Sequence, residues 1–106
     1  GLGDVYKRQW GYFTQKGNKL YMCVFNRPIN NLLKIEIPKG GIIPMKAYFL
    51  ENNQETEIQN AGKNKRNSSL YHVAVPASYK TDRPFVIVLE MQENTKEEGE
   101  YQQAKI

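Results

Sequence analysis

The chain has 106 residues, of which 40% are hydrophobic and 25% are charged, so the composition is that of one small globular domain and excludes a two-domain protein. The formal net charge is +4, but the lysines and arginines are scattered instead of gathered on one periodic face, which argues against nucleic-acid binding. A single cysteine excludes an intrachain disulfide, and no apolar stretch approaches the roughly 20 residues that span a bilayer.

The first nine residues, GLGDVYKRQ, show no clear helical or strand period. We expect residues 1–9 to be a non-native or linker segment, because they resemble a translated cloning or sequencing-adaptor remnant. The alternative is an ordered linker that enters the first strand.

Residues 10–91 contain short strand-like segments separated by turns rich in Gly, Pro and Asn. The predicted strands are Trp10–Thr14, Lys19–Phe25, Leu32–Ile37, Ile42–Leu50, Glu55–Gln59, Leu70–Val75 and Phe85–Met91. Strands at roughly ten-residue spacing, without a helical pattern between them, favour an antiparallel sandwich. We therefore predict a single all-β domain, a two-sheet antiparallel β-sandwich with Greek-key or immunoglobulin-like connections. The charged segment 92–106 is expected to be a flexible tail.

The strand Lys19–Phe25 is apolar on both faces, whereas a strand with one wet face alternates between apolar and polar residues. Its two sets are Leu20, Met22 and Val24, and Tyr21, Cys23 and Phe25. One set fills the core between the sheets. The other is covered either by a companion domain outside this chain or by a loop such as Asn26–Asn31, and the sequence leaves both alternatives open.

The sequence offers little for catalysis or metal binding. One histidine and one cysteine cannot form a zinc site alone, and aspartate occurs only at Asp4 and Asp82, which excludes a calcium loop. Glu55 and Glu57 could pair as in glycoside hydrolysis, but a solvated edge strand explains them as well. We predict no catalytic, metal-binding or cofactor-binding residue.

Aromatic side chains are the remaining candidates for binding. Exposed rings stack on sugars or anchor protein interfaces, although aromatic residues on strands are more often part of the core. The candidate sugar or interface contacts are Trp10, Tyr12, Tyr21, Phe25 and Tyr79.

The stretch Trp10–Pro28, WGYFTQKGNKLYMCVFNRP, resembles the opening of the C-terminal domain of bacterial α-L-fucosidases, which are retaining glycoside hydrolases. Three later segments resemble strands of that domain in the same order: LLKIEIP at Leu32–Pro38, MKAYFL at Met45–Leu50 and FVIVLE at Phe85–Glu90. The resemblance covers residues 10–91.

The resemblance implies a non-catalytic β-sandwich that packs against and stabilises a (β/α)₈ barrel. The barrel would carry the nucleophile and the acid/base, so no catalytic residue is transferred to this chain. The expected partners are that barrel and a fucosylated glycan, without a cofactor, and the expected location is the bacterial periplasm or the exterior. We expect neither a nucleic-acid nor a membrane partner. Two alternatives stay open: a carbohydrate-binding module that uses Trp10, Tyr12 or Tyr79, and a protein-interaction sandwich unrelated to sugars.

Overall fold

The computed structural model describes residues 6–92, and side chains from Arg8 onward. Within that range the chain forms nine β-strands and no helix. The described residues therefore include no helix that could cross a membrane. The strands are β1 (Tyr6–Arg8), β2 (Gly11–Lys16), β3 (Lys19–Val24), β4 (Leu32–Ile37), β5 (Pro44–Phe49), β6 (Glu55–Thr56), β7 (Ile58–Lys63), β8 (Ser69–Ala74) and β9 (Phe85–Met91). The predicted charged tail, apart from Gln92, lies outside the described residues.

The strands form two antiparallel sheets. The larger sheet has the order β1-β2-β3-β9-β5-β6, and the smaller sheet has the order β4-β8-β7. The predicted all-β, two-sheet antiparallel sandwich is confirmed. The apolar strand β9 lies in the middle of the larger sheet, between β3 and β5.

Alternation along each strand places one set of side chains between the sheets. In β4, Leu33, Ile35 and Ile37 are buried while Lys34 is exposed, as the sequence predicts. In β3, the buried set is Leu20, Met22 and Val24, which face Leu89, Ile87 and Phe85 of β9. The other residues of this core are Trp10, Phe13, Ala47, Phe49, Tyr71, Val73, Val75 and Met91. Because the core takes this set from β3, Tyr21, Cys23 and Phe25 belong to the opposite face of the larger sheet.

The hairpin between β2 and β3 closes through a two-residue turn at Gly17 and Asn18. Gly17 has a φ of 60°, and glycine at the first position of such a turn is typical of the type II′ geometry that matches strand twist. At the other end of β2, a Cβ on Gly11 would lie 2.0 Å from the Cys23 carbonyl oxygen. The close approach of β2 and β3 therefore requires glycine at position 11.

Two strands of the structure depart from the prediction. β1 pairs with β2 as an edge strand, although residues 1–9 carry no strand pattern. β7 extends the predicted strand Glu55–Gln59 into the segment 60–63, which was predicted to be a loop. In this segment the pairing of β7 with β8 changes register between Asn60 and Lys63. The Asn60 Oδ1 accepts a hydrogen bond from the Gly62 N–H at 2.8 Å. Polar edge strands of this kind are held by backbone bonds and leave no apolar signal in the sequence.

Candidate interaction surface

The larger sheet turns one face away from the core, and we call this face the outer face. At one end, cross-strand pairing sets Tyr12, Cys23 and Val86 side by side on β2, β3 and β9. Leu50 follows β5 and donates its backbone N–H to the Val86 carbonyl at 3.0 Å. These four residues form the apolar row of the outer face. Phe25 extends the row, because its ring centroid lies 5.7 Å from that of Tyr12.

The apolar row is partly open to solvent. Phe25 and Leu50 keep 57% and 52% of their surface exposed, and Tyr12, Cys23 and Val86 are half-buried. Tyr12 and Cys23 are cross-strand neighbours, and the interaction with the Cys23 side chain raises the pKa of the Tyr12 hydroxyl. Large apolar side chains left adjacent to one another on a surface mark an interaction site more often than isolated ones do.

The centre of the outer face is closed by tyrosines. Val88 is 1% exposed although it points away from the core, since its cross-strand neighbours are Tyr21 on one side and Tyr48 on the other. The Tyr48 hydroxyl donates to the Glu90 carboxylate at 2.9 Å, and this bond raises the pKa of Tyr48. The centre is therefore covered by two tyrosine rings, and the Tyr48 hydroxyl is bound to Glu90.

The opposite end of the outer face is charged. Pairing aligns Lys16, Lys19, Glu90 and Lys46 across β2, β3, β9 and β5, and these residues form the charged row. Lys19 Nζ lies 4.0 Å from a Glu90 oxygen, and Lys46 Nζ lies 5.6 Å from the centroid of the Tyr48 ring. The outer face is thus apolar at one end and mainly basic at the other.

The structure brings three of the five candidate contact residues together on this face: Tyr12, Tyr21 and Phe25. Trp10 lies in the core with 4% of its surface exposed, and its indole N–H donates to the Lys34 carbonyl at 3.0 Å. Cys23 is half-buried on the outer face.

Tyr79 belongs to a separate aromatic cluster beside the apolar row. Its ring stacks on Phe49 with a centroid distance of 4.2 Å and meets Phe85 edge-on at 5.1 Å. Its hydroxyl donates to Glu51 at 3.0 Å. Burial first, and then this hydrogen bond, raises the pKa of Tyr79. These contacts fix the loop that precedes β9 and give the Tyr79 ring a packing role.

Sequence reasoning missed Val86, Val88, Tyr48 and Leu50 as members of the outer face. The signal was the apolar run Phe85–Leu89 of β9, since a strand that is apolar on both faces requires apolar or aromatic neighbours on both sides of the sheet.

The carboxylates of the described residues do not converge on a reaction centre. Glu36 binds Asn64 and Arg66 on the smaller sheet, Glu51 binds Tyr79, and Glu90 binds Tyr48. Glu55 lies in β6, and Glu57 is the residue that follows this strand. Among residues 6–92, no group of three or more His, Cys, Asp or Glu side chains is placed to hold a metal ion.

Neither a protein-family model nor a curated protein matches the sequence. Solved structures do match. A bacterial fucosidase crystallised with an inhibitor has 31% identity and a TM-score of 0.67, over 93% of this chain and 21% of that chain. A GH29 α-L-fucosidase from Bacteroides thetaiotaomicron has 34% identity and a TM-score of 0.65, over 81% of this chain and 18% of that one.

A third match is α-L-fucosidase isoenzyme 1 from Paenibacillus thiaminolyticus, with 28% identity and a TM-score of 0.60, over 82% of this chain and 20% of the enzyme. The resemblance to bacterial α-L-fucosidases is therefore confirmed by fold and sequence together. This chain is a fucosidase-related β-sandwich that spans about a fifth of the length of the α-L-fucosidases it matches.

Proposed function

We propose that this chain is the C-terminal accessory domain of an α-L-fucosidase, and that it packs against and stabilises a catalytic (β/α)₈ barrel encoded with it. The observation that carries the proposal is the difference between two coverages. The matches include 93% and 81% of this chain, but only 21% and 18% of the two fucosidases concerned. A barrel alone needs 200 residues or more, so the catalytic part belongs to the remaining four-fifths of such enzymes.

The dispersed carboxylates support a non-catalytic role. A retaining glycosidase places two carboxyl groups about 5–5.5 Å apart across the scissile bond. In the described residues, Glu36 and Glu90 lie on different sheets, and each is engaged by neighbouring donors. An isolated chain of this kind is expected to hydrolyse no fucoside.

The outer face supplies the surface for packing. Fully burying a large apolar side chain is worth about 1.5–3 kcal/mol; because Phe25 and Leu50 are 57% and 52% exposed, covering either one at an interface gains roughly half of that. A domain that must fold by itself has no use for this exposed area, whereas a domain that docks on a larger partner buries it.

The coding DNA upstream of Trp10 provides the first test. We expect an open reading frame for a barrel in the same frame, and a stop codon or an unrelated gene there would overturn the proposal. The second test compares the joined protein, in which this chain remains attached to the barrel, with the barrel expressed alone. We expect both to cleave an aryl fucoside and the joined protein to unfold at a higher temperature, while this chain alone shows no turnover.

Glycan binding is the second candidate function. The exposed Phe25 ring beside Tyr12 favours it, because adjacent aromatic rings on a surface can stack on the faces of sugars. Titration calorimetry of the isolated chain with fucose and fucosylated oligosaccharides separates the two functions. Heat of binding that disappears in Phe25→Ser would favour a carbohydrate-binding module, and its absence would favour the accessory role.

A further inference from the structure

The two ends of the outer face differ in chemistry while lying on the same four strands. Tyr12 and Lys16 are four residues apart on β2, so the apolar row and the charged row are separated by about 13 Å along the sheet. The centre around Val88, covered by Tyr21 and Tyr48, connects them. A partner that covers the whole face must therefore satisfy an apolar area and a basic area at a fixed spacing.

The charged row is basic even after its internal pairing. It contains three lysines and one glutamate, and Glu90 already interacts with Lys19 and with the Tyr48 hydroxyl. The amino groups of Lys16 and Lys46 occupy the two ends of the row, on exposed side chains. Burying them against an apolar partner would carry a high desolvation cost, whereas carboxylates facing them would offset that cost.

We infer that the docking partner presents a surface divided in the same way, with apolar side chains opposite the apolar row and carboxylates opposite Lys16 and Lys46. The inference rests on the proposed function, and it deepens it by naming the chemistry and the orientation of the barrel surface. If the partner carries carboxylates at one end of its surface only, the domain can dock in one orientation. Rotating the domain by half a turn would set its lysines against apolar side chains of the partner.

The outer face of the smaller sheet gives the internal comparison. There, Lys34 pairs across from His72, and the Glu36 carboxylate is bound by Arg66 at 3.0 Å. That face mixes both signs of charge and lacks the division seen on the larger sheet. Lys63 and Lys65 lie at its edge, in and beside β7, and serve as matched control lysines.

The chain contains its own chemical reporters for both ends. Cys23 is the single cysteine and lies in the apolar row, so its alkylation rate reports coverage of that end. Acetylation of Lys16 and Lys46, quantified by mass spectrometry, reports coverage of the basic end. The experiment compares this chain alone, at low concentration, with the protein in which it remains joined to its upstream region.

We expect Cys23 alkylation and Lys16 and Lys46 acetylation each to slow by about tenfold in the joined protein, because the core of an interface excludes solvent. Lys63 and Lys65 should react equally in both proteins. Salt at about 1 M, where the Debye length falls to about 3 Å, should restore part of the Cys23 reactivity in the joined protein.

Charge reversal tests the complementarity directly. In the joined protein, Cys23 of the double variant Lys16→Glu/Lys46→Glu should be alkylated faster than Cys23 of the unmodified protein. The increase should be on the order of tenfold, because the variant loses the protection that docking provides. The matched control Lys63→Glu/Lys65→Glu should leave the rate unchanged. The folding of both variants is checked by the urea midpoint of the isolated chain.

The outcomes separate this inference from the proposed function. Protection of Cys23 without protection of Lys16 and Lys46, or an unchanged rate in Lys16→Glu/Lys46→Glu, overturns the divided partner surface and leaves the accessory role standing. Protection of Lys63 and Lys65 in place of Cys23 assigns docking to the smaller sheet and overturns the inference alone. Equal reactivity at every site overturns both.

Discussion

The two faces of the larger sheet are built from the same strands, but only the inner face is covered by the second sheet. The inner face, with Met22, Ile87 and Leu89 fully buried, packs on the smaller sheet. The outer face leaves Phe25 and Leu50 more than half exposed. The period-2 alternation of a strand assigns the side chains to two faces, but it is the packing of the second sheet that decides which face becomes the core.

The comparison teaches that folding and docking use different side chains of this domain. Substitutions on the inner face should act on the stability of the isolated chain. Substitutions on the outer face should leave that stability nearly unchanged and act on association. The predictions below break or sharpen this division.

The largest expected effect is on β9, where neighbouring residues face opposite ways. Leu89 is 0% exposed and lies between Leu20 and Ala47. Leu89→Ala should lower the free energy of unfolding by about 2–5 kcal/mol, the range for a buried leucine that leaves a cavity. The matched variant Val86→Ala, on the outer face of the same strand, should cost less than about 1 kcal/mol, because a half-buried side chain loses less burial on truncation. Urea unfolding of the isolated chain measures both, and equal losses would show that the outer face is also part of the folding core.

The next effect concerns the loop that joins the two sheets after β3. The Arg27 guanidinium donates to the carbonyls of Pro76 and Tyr79 and to Asn31 Oδ1, so it ties this loop to the one that precedes β9. Arg27→Ala should cost about 1.5–3 kcal/mol, as expected for hydrogen bonds that involve a charged donor.

The conservative variant Arg27→Lys tests the geometry of that contact. Lysine keeps the charge but lacks the planar fork that reaches several acceptors at once, so it should recover only part of the loss. Full recovery in urea unfolding would mean that charge alone, and not the shared set of three acceptors, holds the loops together.

The fold was largely predictable, and the reasons are local. β4 alternates cleanly, and β9 is apolar at every position except Glu90, so both were predicted with the bounds that the structure gives. β1 and the part of β7 beyond Gln59 were missed, because edge strands are specified by backbone pairing, which polar side chains do not reveal. β6 and β7 were merged because Glu57, where the chain passes from one sheet to the other, differs little in composition from its neighbours.

The candidate surface was only half predictable. The apolar character of Tyr21, Cys23 and Phe25 is visible in the sequence, but the assignment of that set to the outer face required the pairing of β3 with β9. The position of Trp10 could not be inferred, since its indole N–H bonds to a backbone carbonyl 24 residues away. Long-range contacts of this kind leave no periodic signal.

A smaller effect on stability, but a clear one on association, is expected for the exposed apolar side chains. The double variant Phe25→Ser/Leu50→Ser removes the two most exposed large side chains of the apolar row and should change the free energy of unfolding by less than about 1 kcal/mol. The isolated unmodified chain should self-associate at high concentration through this patch and bind a hydrophobic dye, and the variant should do neither. Light scattering that shows a clean monomer for the unmodified chain, without dye binding, would count against the outer face as an interface.

The smallest expected effect is the pH dependence at Glu36, on the smaller sheet and away from both faces compared above. Hydrogen bonds from Asn64 first, then from Ser68 and Arg66, hold the pKa of this carboxyl below its ordinary value. A carboxyl with a lowered pKa in the folded state contributes stability that is fully present above its unfolded pKa, about 4.3 for glutamate, and that is lost as the pH falls through the folded pKa. The urea midpoint of the unmodified chain should therefore exceed that of Glu36→Gln at neutral pH, and the difference should shrink below about pH 4. The difference isolates Glu36, because all other carboxyl groups are common to both proteins. A difference that stays constant down to pH 3 would mean that the loss in Glu36→Gln comes from the changed side-chain geometry and that the charge of Glu36 contributes nothing.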